Sequence, residues 1–148
     1  MSLTEKISAD LITAMKAKDK VALEAIRAAK TAFTLARAEK GADSLTGEEE
    51  LKIIQKLVKQ RRESAAIYKE QNRTDLYEKE VTEADVLEKY LPAKMGEEEL
   101  EKIIKAVIER LGVKSPAEMG KVMGVASKEL AGKADGKEIS AIVKKLLV

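Results

Sequence analysis

Apolar positions recur at intervals of three and four along almost the whole chain, the spacing that gives a helix one buried face. Leu3, Ile7, Leu11, Ala14 and Met15, continuing to Lys18, set out a first helix. Lys18-Asp19-Lys20 interrupts the stripe, and Asp19 has the side chain to cap a second helix. That helix is rich in alanine (Ala22, Ala25, Ala29, Ala32, Ala36), with Ile26 and Phe33 beside them. Such small side chains let axes approach closely, so helices one and two are expected to form an antiparallel hairpin. Gly41 ends the second helix and residues 41–47 read as a loop.

Thr46-Gly47-Glu48-Glu49 has the pattern of a capping box and predicts a long third helix reaching about Glu70. Asn72-Arg73-Thr74-Asp75 is turn-prone and predicts a short helix around Leu76 to Glu80. Thr82-Glu83-Ala84-Asp85 predicts a separate helix carrying Val86, Leu87, Tyr90 and Leu91, stopped by Pro92. From Pro92 to Gly96 the chain reads as a linker. Beyond it Leu100, Ile103, Ile104, Val107, Ile108 and Leu111 form a stripe that ends at Gly112. Ser115-Pro116-Ala117-Glu118 combines a capping serine, a first-turn proline and a capping-box glutamate, and predicts a helix running to Gly132. Asp135-Gly136-Lys137-Glu138 opens a last helix that buries Ile139, Ile142, Val143, Leu146 and Leu147. No β alternation survives. The expectation is an all-α chain with a helical N-terminal lobe, residues 1–93, and a small three-helix C-terminal lobe, residues 94–148.

Composition narrows the chemistry. Of 148 residues, 45% are apolar and 36% charged, the balance of a globular chain with a heavily solvated surface rather than a disordered one. No apolar run approaches the roughly 20 residues needed to span a bilayer. The N-terminus lacks the basic start and apolar run of a signal peptide, so a cytoplasmic location without membrane association is expected. There is no cysteine and no histidine. Thiolate chemistry and sulfur-ligated zinc are thereby excluded, and with histidine go the usual general base and the commonest metal ligand. The carboxylates are plentiful but do not pair as an acid and base couple. No residue is nominated as catalytic, metal-binding or cofactor-binding.

The net charge is +2, unevenly spread. Residues 1–93 carry 17 basic and 17 acidic side chains, whereas residues 110–148 carry 8 basic and 4 acidic. An anionic partner is therefore sought first at the C-terminal end, although a lysine excess is also how an ordinary solvated surface looks. On the third helix Arg61 falls among Ile54, Leu57, Val58, Ala65 and Tyr68. It either pairs structurally with a carboxylate or a backbone carbonyl, or points into a polar groove that holds a phosphate or carboxylate. Lys52, Lys56, Lys59, Arg62 and Lys69 form a basic ridge on the opposite side, diluted by glutamates. In the C-terminal lobe, Gly120 and Gly124 lie four apart on a predicted helix, where glycine costs up to about 1 kcal/mol against alanine. Something approaches closely there: a neighbouring helix, or a nucleic-acid backbone met by Lys121, Lys128 and Lys133. Gly132-Lys133-Ala134-Asp135-Gly136-Lys137 is a turn before a helix start, able to offer backbone N–H groups to an anion, but it lacks the spacing and preceding strand of a P-loop. Aromatic residues are 3% and tryptophan is absent, so a base-stacking platform is not expected.

Several runs, taken in order, resemble one family: Ala14-Met15-Lys16-Ala17-Lys18-Asp19-Lys20, Lys59-Gln60-Arg61-Arg62-Glu63-Ser64, Arg73-Thr74-Asp75-Leu76, Tyr90-Leu91-Pro92, Met119-Gly120-Lys121-Val122-Met123 and Gly132 to Lys137. The pattern resembles the YqeY family, bacterial stand-alone relatives of the tail of the tRNA amidotransferase B subunit, over about residues 3–147. Gln71-Asn72 departs from it, standing where a small residue and glycine are expected. The resemblance implies a helical N-terminal lobe and a three-helix C-terminal lobe. It also implies a tail-like role in holding tRNA, with amidotransferase or other translation proteins as possible partners. The carbon–nitrogen ligase chemistry of the amidotransferase is performed by other domains. The candidate nucleic-acid contacts, read from the paired glycines, the lysines near them and the glycine-lysine turn, are Gly120, Lys121, Gly124, Lys128, Lys133, Gly136 and Lys137. A helical protein–protein adaptor is the alternative.

Overall fold

A computed structural model describes residues 2–148. Seven α-helices are present and no strand is found among the described residues: α1 (Leu3–Ala17), α2 (Lys20–Lys40), α3 (Gly47–Glu70), α4 (Thr74–Glu88), α5 (Glu97–Leu111), α6 (Met119–Glu129) and α7 (Gly136–Leu147), with one 3₁₀ turn at Pro116–Glu118. The chain divides into two compact units, Met1–Leu91 and Pro92–Val148.

In the first unit α1 and α2 form the expected hairpin, and α3 and α4 form a second one with the most extensive packing in the molecule. Asp19 caps α2 by accepting the Ala22 N–H at 3.1 Å, and Thr46 caps α3 by accepting the Glu49 N–H at 3.1 Å. The core joins Ile7, Ala14, Ala25, Ile26, Ala29, Phe33, Ile54, Val58, Ala84 and Leu87. Ala25 and Ala29 are fully buried, as close axial approach on that face of α2 requires. Met15 is not part of this face: it is 53% exposed, and Lys18 stands outside α1 as its left-handed cap at φ 56°.

Two expected breaks are resolved differently. Thr82 does not start a helix, because its hydroxyl donates back to the Glu78 carbonyl at 2.8 Å, and α4 runs through it without interruption. The α3–α4 turn is made at Asn72, which adopts φ 57°. Asparagine is one of the few non-glycine residues that visit this left-handed region readily, so it supplies the conformation for which a glycine was expected.

The second unit is a three-helix arrangement around Leu100, Ile104, Val107, Val113, Val122, Ala126, Leu130, Ile139, Ile142, Val143 and Leu147. Leu111, at the end of the α5 stripe, is 39% exposed. Ser115 makes no side-chain cap. Pro116 instead begins a 3₁₀ turn in which the Glu118 N–H bonds to the Ser115 carbonyl at 3.1 Å, and α6 starts only at Met119. It ends at Glu129 rather than Gly132, and the chain turns through Gly132 at φ 77°, a backbone conformation that glycine takes without steric cost.

Candidate nucleic-acid interface

At about 100° per residue, Gly120, Gly124, Lys128 and Lys121 fall within about 100° of arc on α6, over about 12 Å of helix rise. The opposite side carries Val122 and Ala126, both fully buried. The core therefore turns the glycine–lysine strip outward, and all four of its residues are exposed. A Cβ built on either glycine would meet nothing within 4 Å. A closely packed neighbouring helix is thus not what these glycines accommodate within the described chain; each leaves bare backbone open to solvent.

The strip is also free of internal neutralisation. Lys121, Lys128, Lys133 and Lys137 make no ion pair with any described carboxylate. Glu129, on the same helix, is already engaged with Arg110.

The Gly132–Lys137 turn fits the anion reading less well. Asp135 lies at the N-terminus of α7 and its carboxylate accepts the Glu138 N–H at 2.8 Å. The electropositive end of the helix already holds a resident carboxylate, so an incoming phosphate would be repelled from the N–H groups expected to bind it. Gly136 is the first residue of α7 and is exposed; Lys137 follows it, also exposed. Lys133 is half-buried, and its carbonyl accepts the Met95 N–H at 3.3 Å. The seven candidates therefore separate. Gly120, Lys121, Gly124 and Lys128 make one continuous surface. Lys133, Gly136 and Lys137 flank a closed cap at the start of the next helix.

In the first unit the basic ridge on α3 is partly committed: Lys56 and Lys59 are exposed and form no ion pair with a described carboxylate, whereas Lys52 and Arg62 do. Arg62 is turned toward α4, where it meets Asp85 at 2.7 Å and Glu88 at 2.5 Å. Those carboxylates, Asp85 first, raise its affinity for its proton still further. Lys52 pairs with Glu48 at 3.1 Å, and Lys69 lies 6.0 Å from the centre of the Tyr77 ring. Arg61 is half-buried. Its Nη1 donates to the Leu57 carbonyl at 3.4 Å, while its Nε is buried without a hydrogen-bond partner. The carboxylate it influences is Glu83 on α4, 6% exposed, whose pKa is raised by burial against the opposing pull of Arg61. Arg61 thus sits in the α3–α4 packing with no ion-pair partner within 4 Å.

Two polar contacts were not foreseen from the sequence. Glu50, 3% exposed, accepts both the backbone N–H and the hydroxyl of Thr4 at 2.6 Å, so a carboxylate of α3 caps the start of α1. Tyr90 donates its hydroxyl to Asp10 at 2.5 Å. The partners are 46 and 80 residues apart, and no local pattern links such positions. The described residues contain no cluster of three or more histidine, cysteine or carboxylate groups suited to a metal ion, and no helix long and apolar enough to cross a membrane.

Among known proteins, a family model described as "Yqey-like protein" matches residues 4–147. A protein named "Altered inheritance of mitochondria protein 41, mitochondrial", from Pyrenophora tritici-repentis (strain Pt-1C-BFP), is 34% identical over 133 residues, covering 87% of this chain and 71% of that relative. Matched nearly end to end by the family model, and over most of its length by this relative, the chain belongs to the YqeY family.

Proposed function

We propose that the chain is a non-catalytic tRNA-binding module, and that it meets the phosphate backbone of a paired stem through α6. The observation that carries this reading is the exposed strip of Gly120, Gly124, Lys121 and Lys128, in which bare backbone lies beside lysines that have no internal carboxylate partner. Lysine ammoniums neutralise phosphates and release their counterions, while the missing Cβ atoms let a sugar–phosphate chain lie directly on the helix. Residues 92–148 contain no aromatic side chain. Stacking on splayed bases is therefore unavailable in this unit, which favours a duplex recognised by backbone and shape. Any carbon–nitrogen ligase chemistry, known here through the resemblance to an amidotransferase tail, would reside in another polypeptide. A cytoplasmic location belongs to the same proposal, set beside a fungal relative whose name is mitochondrial.

The test is a gel shift with total tRNA across a salt series, comparing the wild type with Lys121→Ala/Lys128→Ala. Each lost phosphate contact should reduce the magnitude of the log–log salt slope by about 0.9 on a duplex, or about 1.8 for the pair. An unchanged slope removes α6 from the interface. No binding at low salt overturns the RNA reading and leaves the protein–protein adaptor, for which affinity capture is the next measurement.

A further inference from the structure

α2 has an outer face that the packing of its own unit does not use. Its buried residues, Ala25, Ile26, Ala29 and Phe33, fall within about 100° of arc. Arg27, Lys30, Thr34 and Arg37 fall in an adjoining arc of about 80°, over about 15 Å of helix rise. Arg27, Lys30 and Thr34 are exposed and Arg37 is half-buried. Residues three or four apart on a helix stand about 5–6 Å apart at Cβ. Helix geometry alone therefore brings Arg27 beside Lys30, Lys30 beside Thr34 and Thr34 beside Arg37. A shallow concavity of about 360 Å³ lies on this face, lined by Arg27, Lys30, Thr31, Thr34 and Leu35.

The charge of the row has one sign. No carboxylate lines the concavity, and Arg27, Lys30 and Arg37 make no ion pair with any described carboxylate. The acidic residues of α2 are Glu24 and Glu39. Glu24 is held by Lys79 of α4 at 3.0 Å, and Glu39 falls about 120° beyond the arc. The hydroxyl of Thr34 supports the cations: it donates to the Lys30 carbonyl at 3.0 Å and accepts from Arg37 Nη2 at 3.3 Å, which lays that guanidinium along the row.

A small anion would engage one or two of these cations, whereas a row of three over about 15 Å suits a chain of phosphates. A protein partner matches the face less well. The centre of a protein–protein interface is apolar and poor in lysine, and Leu35 is the one large apolar side chain in the lining. The aromatic residue of α2, Phe33, is 1% exposed, so this face offers bases nothing to stack on and is suited to the backbone of a stem. We propose that the outer face of α2 is a second RNA contact, in which Arg27, Lys30 and Arg37 neutralise phosphates of a paired stem. The proposal rests on the tRNA reading above and adds to it a surface in a different unit from α6.

The test is a gel shift of the full chain with total tRNA across a salt series, with Arg27→Ala/Lys30→Ala beside Lys121→Ala/Lys128→Ala. Both altered α2 side chains are exposed and alanine is the better helix former, so circular dichroism should show helix content unchanged. The α2 pair should lower the magnitude of the log–log salt slope by about 1.8, and Arg27→Lys/Lys30→Arg should keep the wild-type slope. An unchanged slope for the α2 pair with a reduced one for the α6 pair overturns this proposal and leaves α6 standing. The reverse result supports it and removes α6. In the ¹⁵N-labelled chain, a short RNA duplex should shift the amides of Arg27, Lys30, Thr31 and Thr34. Poly-L-glutamate that shifts them as strongly would replace RNA at this face by an acidic protein surface. No binding of tRNA by the wild type at low salt overturns both contacts.

Discussion

The two units carry charged side chains at similar density, and in both of them ion pairs bridge helices, but in the second both α6 lysines are left unpaired. In the first, ionic side chains position helices. Arg62 ties α3 to α4, Lys79 reaches Glu24 across α4 and α2 at 3.0 Å, Lys40 reaches Glu49 at the α2–α3 turn at 2.6 Å, and buried Glu50 caps α1. In the second, α5, α6 and α7 enclose an aliphatic core, and ion pairs tie α5 to α6 through Arg110 and Glu129 and α5 to α7 through Lys145 and Glu101. The α6 lysines are left with no internal role. Charges that organise a fold are unavailable to a partner, so a basic side chain signals an interface through its lack of a carboxylate neighbour rather than through its sign. By that criterion Lys52 and Arg62 drop out of the α3 ridge, while Lys56 and Lys59 stay as unpaired as the α6 lysines; what sets α6 apart is the bare backbone of Gly120 and Gly124 beside its cations.

The contrast is tested most severely at Glu50. Glu50→Ala should cost about 1–3 kcal/mol, because Thr4 loses the partner of both its N–H and its hydroxyl and the start of α1 loses its anchor on α3. Urea denaturation reads the loss directly. Glu50→Gln keeps an acceptor oxygen in place and should recover part of it; if Gln is as damaging as Ala, the negative charge rather than the hydrogen bonds holds the helix.

On α6 the sign reverses. Gly124 is a mid-helix glycine with open space where a Cβ would stand. Gly124→Ala should therefore stabilise the chain by about 0.5–1 kcal/mol. If the glycine is there to admit a phosphate backbone, the same substitution should weaken tRNA binding. A variant that is both more stable and tighter-binding would show that the bare helix face has no role in RNA contact.

Back in the first unit, Arg62→Ala should cost no more than about 1 kcal/mol, as expected for a partly exposed pair whose partners remain solvated. It should leave the tRNA salt slope unchanged. A slope that drops as it does for an α6 lysine would erase the distinction between paired and unpaired cations.

How much of this was legible in the chain depends on the range of the interaction. Helix stripes and three caps were, because Asp19, Thr46 and Asp135 each bond an N–H three residues on, and such contacts are written within one turn. Thr82 and Ser115 carried the same local signal and failed. The Thr82 hydroxyl is drawn to the Glu78 carbonyl within an unbroken helix, and Pro116 tightens the next turn into 3₁₀ geometry. Glu50 with Thr4 and Tyr90 with Asp10 were invisible, since nothing near either partner specifies the other. The glycine–lysine strip was legible as residues but not as a surface. Whether Gly120 and Gly124 meet a helix or solvent is decided by how α5 and α7 pack on the far side of α6.

The smallest effect belongs to Glu83, and its direction follows from two opposing influences. Burial raises its pKa above the ordinary 4.5, and Arg61, the next influence in size, pulls it back. The net shift is upward, so the folded chain binds this proton more tightly than the unfolded chain. Below the ordinary carboxylate range Glu83 is protonated in both states and its contribution to stability is fully present. As pH rises through the raised folded value that contribution is lost, because the fold must then hold a desolvated carboxylate. Glu83→Gln, which is neutral at every pH, should therefore match the wild type in acid and be slightly more stable at neutral pH. Urea midpoints measured from acid to neutral pH would show the two curves parting as Glu83 ionises. If the glutamine variant is instead the less stable at neutral pH, the attraction of Arg61 outweighs burial, and Arg61 and Glu83 form a stabilising pair despite the distance between them.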